Sequence, residues 1–199
     1  MYGIYNNGEV IARFVTPLTL KSNRPIFTSD TLSLKRHTRT RTPQRWEINT
    51  RLEPLYRGAE ELMSLLITTG YENPVPIIMP QNVGAKLRRS STSPTPLAGA
   101  TVVGLSVVPI TGVVGMIPNG TFIKFANHSK VYMLTADRNG NGNMNIYPPL
   151  RMALPAATGF TFKDDVIMSC LFDTDTIMGM VYEDGILMDC GTIKLIERL

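Results

Sequence analysis

Residues 120–135 read GTFIKFANHSKVYMLT, and residues 136–147 continue ADRNGNGNMNIY. Aromatic and β-branched residues gather in 121–125 and again in 130–136, with the polar ANHS between them. That spacing predicts two short strands joined by a turn. Residues 137–143, DRNGNGN, form a second turn by composition, because Asn and Gly tolerate positive φ. A third strand follows at 143–147 and is stopped by Pro148 and Pro149. Short strands with such turns suit a small barrel or sandwich.

Working outward, residues 97–162 read as one β unit. Residues 72–96 carry Pro74, Pro76, Pro80, Pro94 and Pro96 with a serine and threonine cluster at 90–93, which marks a domain edge or an exposed connection. Nearer the N-terminus, strands are expected at 10–15 and 17–20, with a turn at 22–25. Residues 31–38 begin with alternation. Residues 46–52 alternate Trp46, Ile48, Thr50 and Leu52 against Glu47, Asn49 and Arg51, which predicts one buried and one wet face. The period then changes. Residues 58–69, GAEELMSLLITT, place Leu62, Leu65 and Leu66 at helical spacing, with Glu60 and Glu61 in the first turn and Gly70 as the stop. After 163, strands return at 166–172, 177–183 and 192–196, and Glu183-Asp-Gly185 fits a hairpin turn. The expectation is a mainly β, α+β chain with one short helix.

Composition narrows the function by exclusion. Of 199 residues, 43% are hydrophobic and 18% charged, which is enough apolar material for a core. The net charge of +4 alone supports only weak attraction to nucleic acid. Cys170 and Cys190 read as reduced, buried thiols, with a single bridge as the alternative. The N-terminus lacks the pattern of a signal peptide. Residues 90–123 are uncharged and long enough to cross a bilayer, yet glycine, proline and paired valines make them read as strands, so no membrane span is expected. The Asn119 and Asn127 sequons carry no weight without secretion.

No cofactor, metal site or catalytic residue is expected. His37 sits in a basic run and His128 in a turn-like NHS, and two histidines cannot build a multi-histidine metal site. Neither GxSxG nor a P-loop occurs. Residues 137–142 open like a calcium loop, but the twelfth position is Pro148, so a hairpin turn explains them better. The pairs Asp164 with Asp165 and Asp173 with Asp175 have the types needed for metal binding or acid–base work, but solvated strand ends are the plainer reading.

Charge is segregated. Residues 35–57 hold seven cations, among them Arg36, Arg39, Arg41 and Arg45, against two acids, a net +5. Residues 163–199 hold eight acids, among them Asp164, Asp165, Asp173 and Asp175, against three cations, a net −5. The two blocks are candidate contact faces, basic and acidic, within a chain or between subunits. A ring built from one heterologous contact needs two unlike complementary faces.

The segment GTFIKFANHSKVYMLT resembles the G-D-x-[IF]-K-[FL]-x-x-H-x-K-V-Y-x-[IV]-T stretch of bacteriophage distal tail proteins. Residues 145–151, NIYPPLR, resemble their I-x-P-x-L strand, and residues 191–199, GTIKLIERL, their closing strand. LKRHTRTR at 34–41, then QRWEI at 44–48 and a short helix, fit their N-terminal part. Thr121 departs from the family's usual aspartate. The resemblance implies a tail-tube-like β-sandwich from residues 1–80 with 163–199, and an inserted OB-like barrel at 81–162. It implies a hexameric homo-oligomeric ring at the distal end of the tail, made in the bacterial host cytoplasm and resident in the virion. Such a ring joins the tail tube protein to hub or baseplate proteins, with the tape measure protein as a further candidate neighbour. DNA would be only a passenger in its channel, with the acidic strands as candidates to line it. Two rival readings remain at this point: an OB-like nucleic-acid-binding protein, and a metal enzyme built on the aspartate pairs.

Overall fold

The computed structural model describes residues 2–40, 43–55, 58–69, 72–81, 96–162, 166–173 and 180–199. The chain begins with β1 (Gly3–Asn6), β2 (Glu9–Arg13), β3 (Thr19–Asn23), β4 (Ile26–Asp30), β5 (Arg36–Thr40) and β6 (Arg45–Thr50), then α1 (Ala59–Thr69) and β7 (Val75–Ile78). The middle holds β8 (Leu97–Ala98), β9 (Val107–Thr111), β10 (Met116–Ile117), β11 (Phe122–Phe125), β12 (Val131–Leu134), β13 (Arg138–Asn139), β14 (Gly142–Tyr147) and β15 (Thr158–Thr161). The chain ends with β16 (Ile167–Phe172), β17 (Val181–Glu183), β18 (Ile186–Asp189) and β19 (Ile193–Glu197). It is mainly β, with one helix among the described residues.

Two bodies result. Strands from both ends of the chain build a seven-stranded sheet in the order β2-β1-β7-β16-β19-β6-β3. The sheet curls. Phe14, just past β2, bridges Leu52, just past β6, and Val15 N–H donates to the Arg51 carbonyl at 2.8 Å. Ile4, Trp46, Ile48, Ile77, Met168 and Leu195 fill the core, and Ala59 and Leu62 of α1 join it. The middle strands close a barrel, β11-β12-β14-β9-β8-β15, with β15 pairing back to β11. Its core is separate and includes Ile110, Ile123, Phe125, Tyr132, Leu134 and Phe160.

The hairpin of β11 and β12 serves both bodies. Ile123, Phe125, Tyr132 and Leu134 point into the barrel, while Phe122 and Val131 join the core of the sheet. This is the period-2 alternation of a strand with a neighbour on each side.

Three expectations need correction. Residues 75–78 are not a linker but β7, a central strand between β1 and β16. Pro76 is tolerated there because β1 pairs only with residues 77 and 78, so no ladder bond is asked of Pro76 on that side. Residues 31–35 are a loop rather than the start of a strand. Finally, the wet face expected of 46–52 is only partly wet: Arg51 is exposed and Asn49 half-buried, but Glu47 is buried, because Asn23 at 2.6 Å and Arg45 at 3.0 Å close over its carboxylate. Burial pushes the Glu47 carboxyl up, but the bonds from Asn23 and Arg45 outweigh it and hold the pKa below its ordinary value.

Candidate assembly interface

Between β3 and β6 the chain makes an excursion. Strands β4 and β5 pair only with each other, from Ile26 against Thr40 to Asp30 against Arg36. Every residue of β4 and residues 36–39 of β5 are exposed. The loop joining them is closed by hydrogen bonds. Thr31 N–H donates to the Lys35 carbonyl at 3.0 Å, Leu34 N–H to the Thr31 carbonyl at 2.8 Å, and Lys35 N–H to Thr31 Oγ1 at 3.2 Å. This loop presents Leu32 fully exposed and Leu34 89% exposed. Leu34 has φ +60°, a region where a bulky side chain is strained by roughly 1–2 kcal/mol. An isolated two-stranded ribbon with apolar residues in water is a poor structure by itself. The arm is also basic, with Arg24, Lys35, Arg36 and Arg39 against Asp30, which pairs with Arg36 at 3.1 Å.

A second feature lies beyond the other end of β6. The bridge between Leu55 and Leu187 fastens the β17–β18 hairpin to the segment that leads into α1. Helix α1 turns Ala59 and Leu62 inward and leaves Glu60, Ser64, Ile67 and Thr68 outward, as helical spacing requires. Between helix and hairpin runs a groove of about 480 Å³, lined by Glu60, Met63, Ser64, Ile67, Thr68 and Tyr182. Ile67 is 76% exposed, and Val181 and Tyr182 are exposed beside it. Glu61 stands on the helix and Glu183 and Asp184 on the hairpin turn, all exposed. Asp184 and Gly185 both have positive φ, the geometry of a two-residue hairpin turn.

Sheet and barrel meet at a buried polar junction. Lys130 Nζ donates to Glu197 Oε2 at 2.5 Å, to Gln44 Oε1 at 2.7 Å and to the Gln44 carbonyl at 3.0 Å, so its three protons are all used. The carboxylate of Glu197 also accepts from Trp46 N–H at 3.0 Å and Val131 N–H at 2.9 Å. The Trp46 indole donates to the Val131 carbonyl at 2.9 Å and stands edge-on to Phe122 at 5.2 Å. Gln81 both donates to the Phe122 carbonyl and accepts from Phe122 N–H, each at 3.0 Å. Burial lowers the Lys130 pKa, with Glu197 opposing the shift.

The predicted site residues do not form two simple faces. Arg36 and Arg39 lie on the arm, whereas Arg45 lies on the sheet and is held by Glu47. Arg41, Asp164, Asp165 and Asp175 fall outside the described residues. Asp173 pairs with Lys194, whose pKa that contact raises, so this acid is neutralised within its own chain. The calcium-like residues are used locally: Asp137 Oδ1 accepts from Asn119 N–H at 2.7 Å, and Asn141 Oδ1 from Val113 N–H at 3.1 Å. Among the described residues no group of three or more metal-ligating side chains converges. No described helix is long and apolar enough to cross a membrane. Cys170 and Cys190 are both free and buried, and burial pushes both thiols up.

Sequence reasoning missed Lys130, Glu197, Gln44 and Gln81. In the sequence Lys130 only opens the strand expected at 130–136, and its partner lies 67 residues away. The leucines of the arm tip were visible, but alternation suggested a strand and hid their exposure. No protein-family model matches the chain, and no curated protein matches it.

Proposed function

We propose that this protein is a structural subunit that closes with copies of itself into a ring at the distal end of a phage tail. The ring joins the tail tube to hub or baseplate proteins and leaves a channel for DNA. The exposed arm carries this reading. A ribbon that presents Leu32 and Leu34 to water, one of them in a strained backbone, gains stability only when something covers it. The resemblance of residues 120–135 and of the chain's last strand to distal tail proteins supplies the kind of assembly. A sheet drawn from both chain ends, with a barrel between, is compatible with it.

The nucleic-acid reading is the alternative. Residues 96–162 contain four cations, and three are committed within the chain: Lys124 to the Ile167 carbonyl, Lys130 to Glu197, and Arg138 to the Gly140 carbonyl. Of these only Lys130 is neutralised by a counter-charge, so residues 96–162 keep three cations for phosphates, and Lys86, Arg88 and Arg89 lie outside the described residues.

Native mass measurement at several salt concentrations, with imaging of the particles, tests the proposal. A closed ring, expected to be hexameric, supports it. A monomer that binds DNA with an affinity falling steeply with salt refutes it in favour of the nucleic-acid reading.

A further inference from the structure

The arm needs a receptor, and the same chain carries a surface that matches it. We infer that the arm of one copy docks in the groove between α1 and the β17–β18 hairpin of the next copy. This rests on the ring reading and names the two faces that make the contact.

Charge is the first argument. Residues 24–40 carry four cations and one acid, and that acid is spent on Arg36. Neither α1 nor residues 180–190 contain a cation, while Glu60 lines the groove and Glu183 and Asp184 stand exposed on the hairpin that borders it; Glu61, also on the helix, accepts from Asn6. Opposite signs steer the two surfaces together and fix their register. Apolar matching is the second. The leucines of the arm tip are exposed, and so are Ile67, Val181 and Tyr182. A cleft of about 480 Å³ has room for two leucine side chains. The barrel offers a rival apolar patch at Val102, Val103 and Leu105, but the segment that bears it has no acid to meet a basic arm.

Placement is the third argument. The arm is rooted at Asn23 and Arg45, where β3 and β6 pair, and the groove lies past Thr50, beyond the other end of β6. Six strand residues span roughly 17–20 Å. Donor and receptor are therefore unlike faces at opposite ends of the fold, the arrangement that propagates head to tail and closes into rings.

The test uses disulfide trapping in the full chain, whose native cysteines are buried. Leu34→Cys is combined with Ile67→Cys, and in a control with Val103→Cys. Oxidation of the first pair should give a ladder of linked chains, and the control should not. Leu34→Gly relieves the positive φ, so it should fold at least as stably as the parent while its association weakens by about tenfold or more. Oligomers that form normally yet link only through Val103→Cys would overturn the groove assignment and leave the ring reading standing. A link within a single chain, or unchanged association of Leu34→Gly, would likewise overturn it. A chain that stays monomeric at every concentration and yields no link overturns both.

Discussion

Replacing Lys130 with methionine keeps most of the side chain's length and removes the cation at the centre of the sheet–barrel junction. Three hydrogen bonds go with it, two to Gln44 and one to Glu197. The ion pair is almost fully buried, at 3% and 0% side-chain exposure. Removing one partner of such a pair typically costs about 3–5 kcal/mol, because the remaining charge is left in a low-dielectric site. Here the Glu197 carboxylate keeps two backbone donors, from Trp46 and Val131, which places the expected loss near the lower end, about 3 kcal/mol. For a chain of this size that corresponds to a fall in Tm of about 6–12 °C. The assay is built in. Trp46 is the sole tryptophan and its ring lies at the junction, so its fluorescence reports the opening of this contact during urea unfolding. Glu197→Gln should cost more than Lys130→Met, since it leaves the ammonium without a counter-charge and turns an amide toward backbone donors. Sign also matters. Lys130 has a folded pKa below its ordinary value, so the unfolded chain binds more protons between the two, and its contribution makes stability rise with pH up to the ordinary lysine range. That slope should vanish in Lys130→Met. A loss below about 1 kcal/mol at neutral pH would show that the junction is held by packing alone, and the argument would be refuted.

Other outcomes are expected from single sites. His128 is held neutral by burial first, then by Lys124 and Lys130, and its ring nitrogens face Asn127 and Tyr132 at 2.7 and 2.8 Å. As pH falls below the ordinary histidine value, the unfolded chain takes up a proton that the folded one resists; thermal melts should show the parent losing more stability than His128→Gln between about pH 7.5 and about pH 5.5. Gly3→Ala would place a methyl 2.1 Å from the Ala12 carbonyl oxygen, and chemical denaturation should register a loss of about 3 kcal/mol or more; a change below about 1 would mean that β1 and β2 separate freely.

Where local pattern determines structure, the sequence was readable. The helix at 59–69 follows from its leucine spacing, and the strands at 122–125, 131–134 and 142–147 from their β-branched and aromatic runs. The turn at Asp184 and Gly185 follows from residues that accept positive φ. What stayed hidden depends on partners far along the chain. Pro76 argued against a central strand, and only the pairing of β1 with residues 77 and 78 shows why it is allowed. Glu47 reads as a solvated charge and Lys130 as an ordinary strand residue, because the groups that hold them, Asn23 and Glu197, arrive from other strands. The arm and the groove were half legible: the basic run and the acidic strands were seen, but as two blocks of charge. The fold spreads each block over several elements and pairs parts of both internally, so net charge along the chain was a poor guide to faces.

The place where the barrel enters the sheet has a consequence for rearranging this chain. Ile78 is the register partner of Ile167, so the main chain leaves and re-enters the sheet at neighbouring positions on paired strands. By connectivity alone, everything from 79 to 166 is an oversized hairpin loop, the sort of cassette that recombination could cut out and exchange. The junction forbids a clean excision. A sheet stripped of its barrel would keep the Glu197 carboxylate with no cation and the Trp46 indole with no carbonyl. Any replacement module would have to bring an inward-facing lysine and an apolar strand face in the same register. Sheet and barrel are separable on a topological diagram, yet the junction ties each to a partner that carries the matching groups.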